Sequence, residues 1–144
     1  MLAVVTGPVR SGKSAVALSL AMQTGAPIVI AVGGRADDEE MLRRIARHQA
    51  DRSADVSVVE AGPGAAWVAE VPRNACLLVD CLGTVLGPAV IDALGAEEEL
   101  ISADAEHTAE AAAEALVDAL ATRAGHTVVV TNEVGWGVVP ASAA

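Results

Sequence analysis

Eight consecutive residues constrain this chain more than any others: Gly7-Pro8-Val9-Arg10-Ser11-Gly12-Lys13-Ser14. They follow a short β-branched run, Leu2 to Thr6, and precede an Ala- and Leu-rich helical pattern, Ser14 to Thr24, that stops before Gly25. The string matches G-x-x-x-x-G-K-S/T at every fixed position. Glycines let the backbone curl so that successive N–H groups converge on one point. The helix that starts near Lys13 adds the positive end of its dipole. Lys13 offers a point charge to β- and γ-phosphates, and Ser14 offers a hydroxyl to Mg²⁺. The segment reads as a phosphate-binding loop for GTP or ATP with magnesium.

The rest of the chain alternates. Ile28 to Val32, Val56 to Glu60, Ala75 to Val79 and Thr127 to Val130 read as strands. Asp37 to Ala50 reads as a helix, with acids in its first turn and Arg43, Arg44 and Arg47 near its end. A short helical stretch runs through Trp67, and Asp104 to Arg123 forms an acidic, Ala-rich helix with a solvated face. Residues 83–101, with Gly83, Gly87, Pro88 and Gly95, read as a loop with a helical piece. This alternation predicts an α/β fold of the P-loop NTPase type: a mostly parallel sheet with flanking helices, in a single domain over residues 1–144.

Hydrophobic residues make up 53% of the chain, much of it alanine and valine, which suits strands buried on both faces. The formal net charge of −10 argues against nucleic acid as a partner, because such a surface repels a phosphate backbone. An anionic ligand must then be held by a local site. No apolar run reaches spanning length and no charged segment precedes the first strand, so a cytoplasmic protein without stable membrane insertion is expected. The two cysteines, Cys76 and Cys81, read as small buried hydrophobes.

A phosphate loop of this kind needs a carboxylate for the metal from the end of another strand. Asp80 fits, since Cys76-Leu77-Leu78-Val79 is an apolar run that ends in that acid. Ligands of open α/β sheets bind at the C-terminal strand edge.

The order of the segments resembles the bifunctional adenosylcobinamide kinase and adenosylcobinamide-phosphate guanylyltransferase family of cobalamin synthesis. The loop from Gly7 to Ser14 matches the family's, including Arg10 and Ser11. Asp38, Glu40-Met41, Arg44-Ile45 and His48 match its second helix. Thr131 to Pro140 match its long T-N-E-V-G-x-G-V-V-P segment. Family members continue with one more helix and strand, which are expected to be absent from this chain.

The resemblance implies two reactions. A nucleoside triphosphate first phosphorylates the aminopropanol hydroxyl of adenosylcobinamide, and GTP then gives GMP to that phosphate. It makes His48 the guanylylated nucleophile and Lys13 the catalytic cation of the loop. It places Gly7, Pro8, Val9, Arg10, Ser11, Gly12, Lys13, Ser14, Gly33, Gly34, Arg52, Glu60 and Asp80 at nucleotide, with Ser14 and Asp80 on Mg²⁺. It also implies a homo-oligomer, usually a trimer.

Several residues keep two readings. A carboxylate such as Glu60 suits the N1–H and amino group of guanine, but it also suits a ribose or plain solvent. Gly33 and Gly34 either admit backbone to nucleotide or make a turn. Asn132 and Glu133 either position magnesium or water or make a turn. Trp136, between two glycines, either lies against the corrin or at a subunit contact or has no such role, whereas Trp67 reads as packing. His107 and His126 read as ordinary surface and strand-start residues. Two other functions compete: a P-loop small-molecule kinase in which His48 is idle, and a non-catalytic nucleotide-binding remnant.

Overall fold

The computed structural model describes residues 1–33, 56–94 and 103–133. Among the described residues five strands form one parallel sheet: β1 (Leu2–Gly7), β2 (Ile28–Gly33), β3 (Val56–Ala61), β4 (Cys76–Asp80) and β5 (His126–Asn132). Their order across the sheet is β1-β5-β4-β2-β3. Among the described residues the helices are α1 (Lys13–Gln23), α2 (Leu82–Leu94) and α3 (Ala103–Thr122), with a short 3-10 turn at Ala66–Glu70.

Two apolar clusters cover the two sheet faces. Ala17 and Ala21 of α1 pack on Ile28, Ile30, Cys76, Leu78, Val128 and Val130. On the other face Trp67, Val85, Leu116 and Leu120 pack with Val29, Ala31, Leu77, Val79 and Val129. This division follows from handed crossovers. The connection through α1 carries the chain from β1 outward to β2. Those through the 3-10 turn and through α2 and α3 carry it back, so right-handedness puts them on the opposite face. Central β4 is therefore buried on both sides along Cys76 to Val79, and only Asp80 emerges.

The α2 segment departs from the sequence reading: a helix spans Leu82–Leu94 where glycines and Pro88 suggest a loop with a helical piece. Its start is set by Thr84. The Cys81 N–H donates to Thr84 Oγ1 at 3.3 Å, and that hydroxyl donates to the Cys81 carbonyl at 2.8 Å. A third-position side chain thus caps the entry residue, half of a capping box. Pro88 carries no N–H, so the Thr84 carbonyl receives no bond from four residues on.

Trp67 is packing, as its sequence suggests: it is buried, and its indole N–H donates to the Gly64 carbonyl at 3.1 Å. In α3, Leu116 and Leu120 face the core while Glu106, Glu110, Glu114 and Asp118 are exposed. His107 is exposed and His126 opens β5. Cys76 is buried, but Cys81 is only half-buried. The two stand five residues apart along an extended strand, about 16 Å, far beyond disulfide reach. Among the described residues, no helix is long and apolar enough to cross a membrane.

Candidate active site

The loop after β1 has the shape its glycines foretell. Gly12 adopts φ 85 and ψ 10, left-handed geometry at the N-cap of α1. Its carbonyl accepts from the Ala15 N–H at 3.0 Å and the Val16 N–H at 3.2 Å. Nothing lies within 4 Å of where a β-carbon would stand, so the backbone angle and not space demands glycine here. Arg10 also takes a positive φ, 60°. Lys13 is turned into the curl: its Nζ donates to the Pro8 carbonyl and lies 3.4 Å from Ser11 Oγ. Lys13 as a whole is only 9% exposed, so this cation is folded back against the loop. Ser14, in the first turn of α1, is half-buried. The loop, the start of α1 and the Lys13 cation thus stand together at the C-terminal end of β1.

The sheet order sets what surrounds this loop. β5 lies between β1 and β4, so Asp80 is two strand spacings, about 10 Å, from the loop strand. Asp80 pairs with Val130, and Gly7 with Asn132, so β5 reaches further toward the C-terminal edge than β4 does. The end of β5 is tied to both neighbours. Glu133 N–H donates to the Gly7 carbonyl at 3.2 Å. Asn132 Nδ2 stands 4.0 Å from Cys81 Sγ. Thr131, Asn132 and Glu133 thereby fill the interval between the phosphate loop and Asp80. The strand pattern in the sequence does not disclose this interposition.

Glu60 is elsewhere. It is exposed near the end of β3, opposite Val32, at the far margin of the described sheet. Four spacings, about 19 Å, separate β3 from β1. Gly33 ends β2 and meets neither open space nor a turn: a β-carbon there would stand 1.9 Å from the Thr84 carbonyl oxygen. Its missing side chain admits the start of α2. Thr84, which caps that helix, escaped the sequence reading. Its signal is a hydroxyl three residues after Cys81. Gly34, His48, Arg52, the helix expected at 37–50 and the Val134 to Pro140 part of the last motif, including Trp136, lie outside the described residues.

Among the described residues two titrating groups are displaced, both at the opposite, N-terminal strand edge. Burial pushes the Cys76 thiol up, and burial lowers the Arg123 guanidinium.

Comparison with known proteins agrees with this geometry. The chain is 35% identical over 138 residues to the bifunctional adenosylcobalamin biosynthesis protein CobP of Pseudomonas aeruginosa, covering 94% of this chain and 73% of that one. It is 32% identical over 146 residues to the bifunctional adenosylcobalamin biosynthesis protein CobU of Escherichia coli, covering 99% and 80%. With its Salmonella typhimurium counterpart the identity is also 32%, over 150 residues, covering 97% and 79%. The family model described as cobinamide kinase / cobinamide phosphate guanyltransferase matches residues 3–144. A phosphate loop, an acid-ended central strand and a match along nearly the whole chain lead to one conclusion: the chain belongs to the cobinamide kinase / cobinamide phosphate guanyltransferase family of enzymes.

Proposed function

We propose that this protein phosphorylates adenosylcobinamide and then transfers GMP from GTP to the product, forming adenosylcobinamide-GDP. The observation that carries the reading is Lys13, buried inside a curled G-x-x-x-x-G-K-S loop at the C-terminal edge of a parallel sheet. The family match supplies the substrate class.

In the first reaction the loop amides and Lys13 hold the triphosphate tail of ATP or GTP. Ser14 and Asp80 would hold magnesium, which neutralises charge on the phosphates when bound. The donor set suits that ion. Among the described residues no three His, Cys, Asp or Glu side chains gather into a metal cage. Magnesium is commonly shared between one or two protein oxygens and substrate phosphates. The substrate hydroxyl attacks the γ-phosphorus, the bond to the β–γ bridging oxygen breaks, and a nucleoside diphosphate departs.

In the second reaction a His48 ring nitrogen attacks the α-phosphorus of GTP and pyrophosphate leaves. A phosphate oxygen of the first product then attacks the histidine-bound phosphorus, forms the new P–O–P bridge and frees the imidazole. Neutral imidazole is a competent nucleophile near pH 7, and the phosphoramidate divides one hard displacement into two easier ones. Arg52, Glu60, Gly33 and Gly34 belong to the guanine-nucleotide side of this reading. A homo-oligomer, trimeric in the family, is the expected assembly.

Incubation with GTP labelled at the α-phosphate tests the second reaction. Acid-labile, alkali-stable label on the protein, lost in His48→Ala, is the expected result. Phosphorylation of cobinamide without such label would reduce the protein to a kinase in which His48 is idle. Nucleotide binding without turnover of cobinamide would leave only a binding protein.

A further inference from the structure

The phosphate loop and Asp80 leave the wall between them to β5, and the pleat decides which of its side chains that wall presents. β5 runs between β1 and β4, so its C-terminal end is flanked by the loop on one side and by Asp80 on the other. Side chains alternate across a strand. Val128 and Val130 of β5 lie in the cluster on the α1 face, with Cys76 and Leu78 of β4, whereas Val129 lies in the cluster on the other face. Continued to the strand ends, this alternation puts Asp80 and Asn132 on the face of α1, the helix that the phosphate loop opens.

Asn132 pairs with Gly7, the first residue of the loop, while Asp80 pairs with Val130. Asn132 is thus one strand spacing, about 5 Å, from the loop strand, and about 7 Å further toward the C-terminal edge than Asp80. Its backbone is pinned by the next residue, whose N–H donates to the Gly7 carbonyl at 3.2 Å. The Asn132 side chain is exposed, and its Nδ2 stands 4.0 Å from the Sγ of Cys81, the residue after Asp80. The amide therefore leans toward the Asp80 side of the crevice. A thiol sulfur is a weak acceptor, so this contact leaves Nδ2 free for a stronger one. An anionic phosphate oxygen is such an acceptor, and an amide donates to it without adding negative charge.

We propose that Asn132 is a catalytic residue of phosphoryl transfer, a role that rests on the kinase half of the reading above. Its amide donates to an oxygen of the transferring γ-phosphoryl group from the β5 wall, while Lys13 serves the same phosphates from the loop. The bond strengthens as charge develops on those oxygens in the transition state. The amide exchanges no proton and forms no covalent bond. The acceptor oxygen bonds to the γ-phosphorus and its proton passes to solvent, and the β–γ bridging oxygen leaves with the nucleoside diphosphate. A diphosphate lacks the group that Asn132 contacts, so the residue also favours a triphosphate over a diphosphate.

The test compares wild type, Asn132→Ala and Asn132→Asp for binding of Mg-ATP and Mg-ADP by calorimetry, and for turnover of Mg-ATP with cobinamide and with water. Asn132→Ala should lower kcat with both acceptors about 100-fold. It should reduce the preference for Mg-ATP over Mg-ADP about tenfold, with the Mg-ADP Kd within about twofold of wild type. Asn132→Asp is the same size but sets a negative charge against the phosphate oxygens, so it should lose more of that preference than alanine does. A role confined to packing on Cys81 gives the reverse order, and an aspartate variant equal to or better than alanine overturns the proposal. Wild-type kcat in Asn132→Ala overturns it too, as does equal weakening of both nucleotides. If wild type hydrolyses ATP but leaves cobinamide untouched, the substrate assignment fails while the hydrolysis arm and the nucleotide preference still decide Asn132. If wild type turns over neither acceptor, both readings fall.

Discussion

Gly33 and Thr84 are in direct backbone apposition: a β-carbon on Gly33 would come within 1.9 Å of the Thr84 carbonyl oxygen and 2.1 Å of its carbonyl carbon. The contact joins the end of β2 to the first turn of α2, at a carbonyl left without its helical donor by Pro88. Neither side yields easily, because both are backbone. Gly33→Ala should therefore destabilise the fold by about 3 kcal/mol. Gly62→Ala, at a position with nothing within 4 Å, should stay within about 0.5 kcal/mol. Urea unfolding of the two variants checks the contrast, and equal midpoints would refute the packing role.

The phosphate loop separates into a shape requirement and a charge requirement. Gly12 holds φ 85, so Gly12→Ala should cost about 1–2 kcal/mol of stability and abolish tight nucleotide binding. Lys13→Ala should weaken Mg-ATP and Mg-GTP binding by at least about tenfold, or 1.4 kcal/mol. Calorimetry measures both. A Lys13→Ala protein with wild-type affinity would remove the phosphate cradle from the account.

Thr84 offers a test of how α2 is started. Its hydroxyl accepts from the Cys81 N–H and donates to the Cys81 carbonyl. Thr84→Val should cost about 1 kcal/mol through the lost cap, and Thr84→Ser should recover most of it. Thermal denaturation in parallel gives the answer, and a neutral valine would assign the cap no weight.

At the opposite edge of the sheet Arg123 clamps two loops. Its guanidinium donates to the His126 carbonyl at 3.0 Å and to the Ala75 carbonyl at 3.1 Å, and also to Pro72, while its Nε has no partner. Arg123→Met should lower stability by about 3 kcal/mol, since charged hydrogen bonds are lost and carbonyls are orphaned. Nucleotide affinity should hardly change, because the clamp and the phosphate loop occupy opposite strand ends. A variant that loses binding while keeping its unfolding midpoint would contradict this division.

Cys76 gives a pH dependence with a definite sign. Burial raises its thiol above the ordinary range. The unfolded chain then loses that proton at lower pH than the folded one. This contribution is full below the unfolded thiol pKa, about 8.5, and is lost as pH rises through the higher folded value. Stability should decline on the alkaline side, and Cys76→Ala should flatten that limb despite its lower overall stability. Denaturation curves from pH 7 to 10 would show it. A wild-type slope retained in the alanine variant would assign the decline to other groups.

Much of this architecture is legible along the chain. The loop from Gly7 to Ser14 announces itself because phosphate binding there is local: adjacent amides, one lysine and one helix start do the chemistry. The inner strands β2, β4 and β5 read correctly for a similar reason, since a strand covered on both faces is an unbroken apolar run. The α2 segment misleads because tertiary packing here outweighs the cost of glycine and proline in a helix, about 1 and 3 kcal/mol. Val85 is buried in the core cluster, and Thr84 caps the first turn. At Gly33 the sequence context cannot show that the space beside it is filled by a carbonyl 51 residues later.

By itself the sequence determined the phosphate-binding loop, the α/β class, the acid at the end of β4 and the family. Each of these depends on residues close together in the chain or on motifs of fixed spacing. Only the tertiary structure decided that β5 lies between the loop and Asp80, that Glu133 is tied to Gly7, and that Glu60 sits at the far margin. Buried parallel strands look alike in composition, so nothing in their residues encodes neighbour order. That order comes from the handedness of the crossovers and the burial of two sheet faces at once.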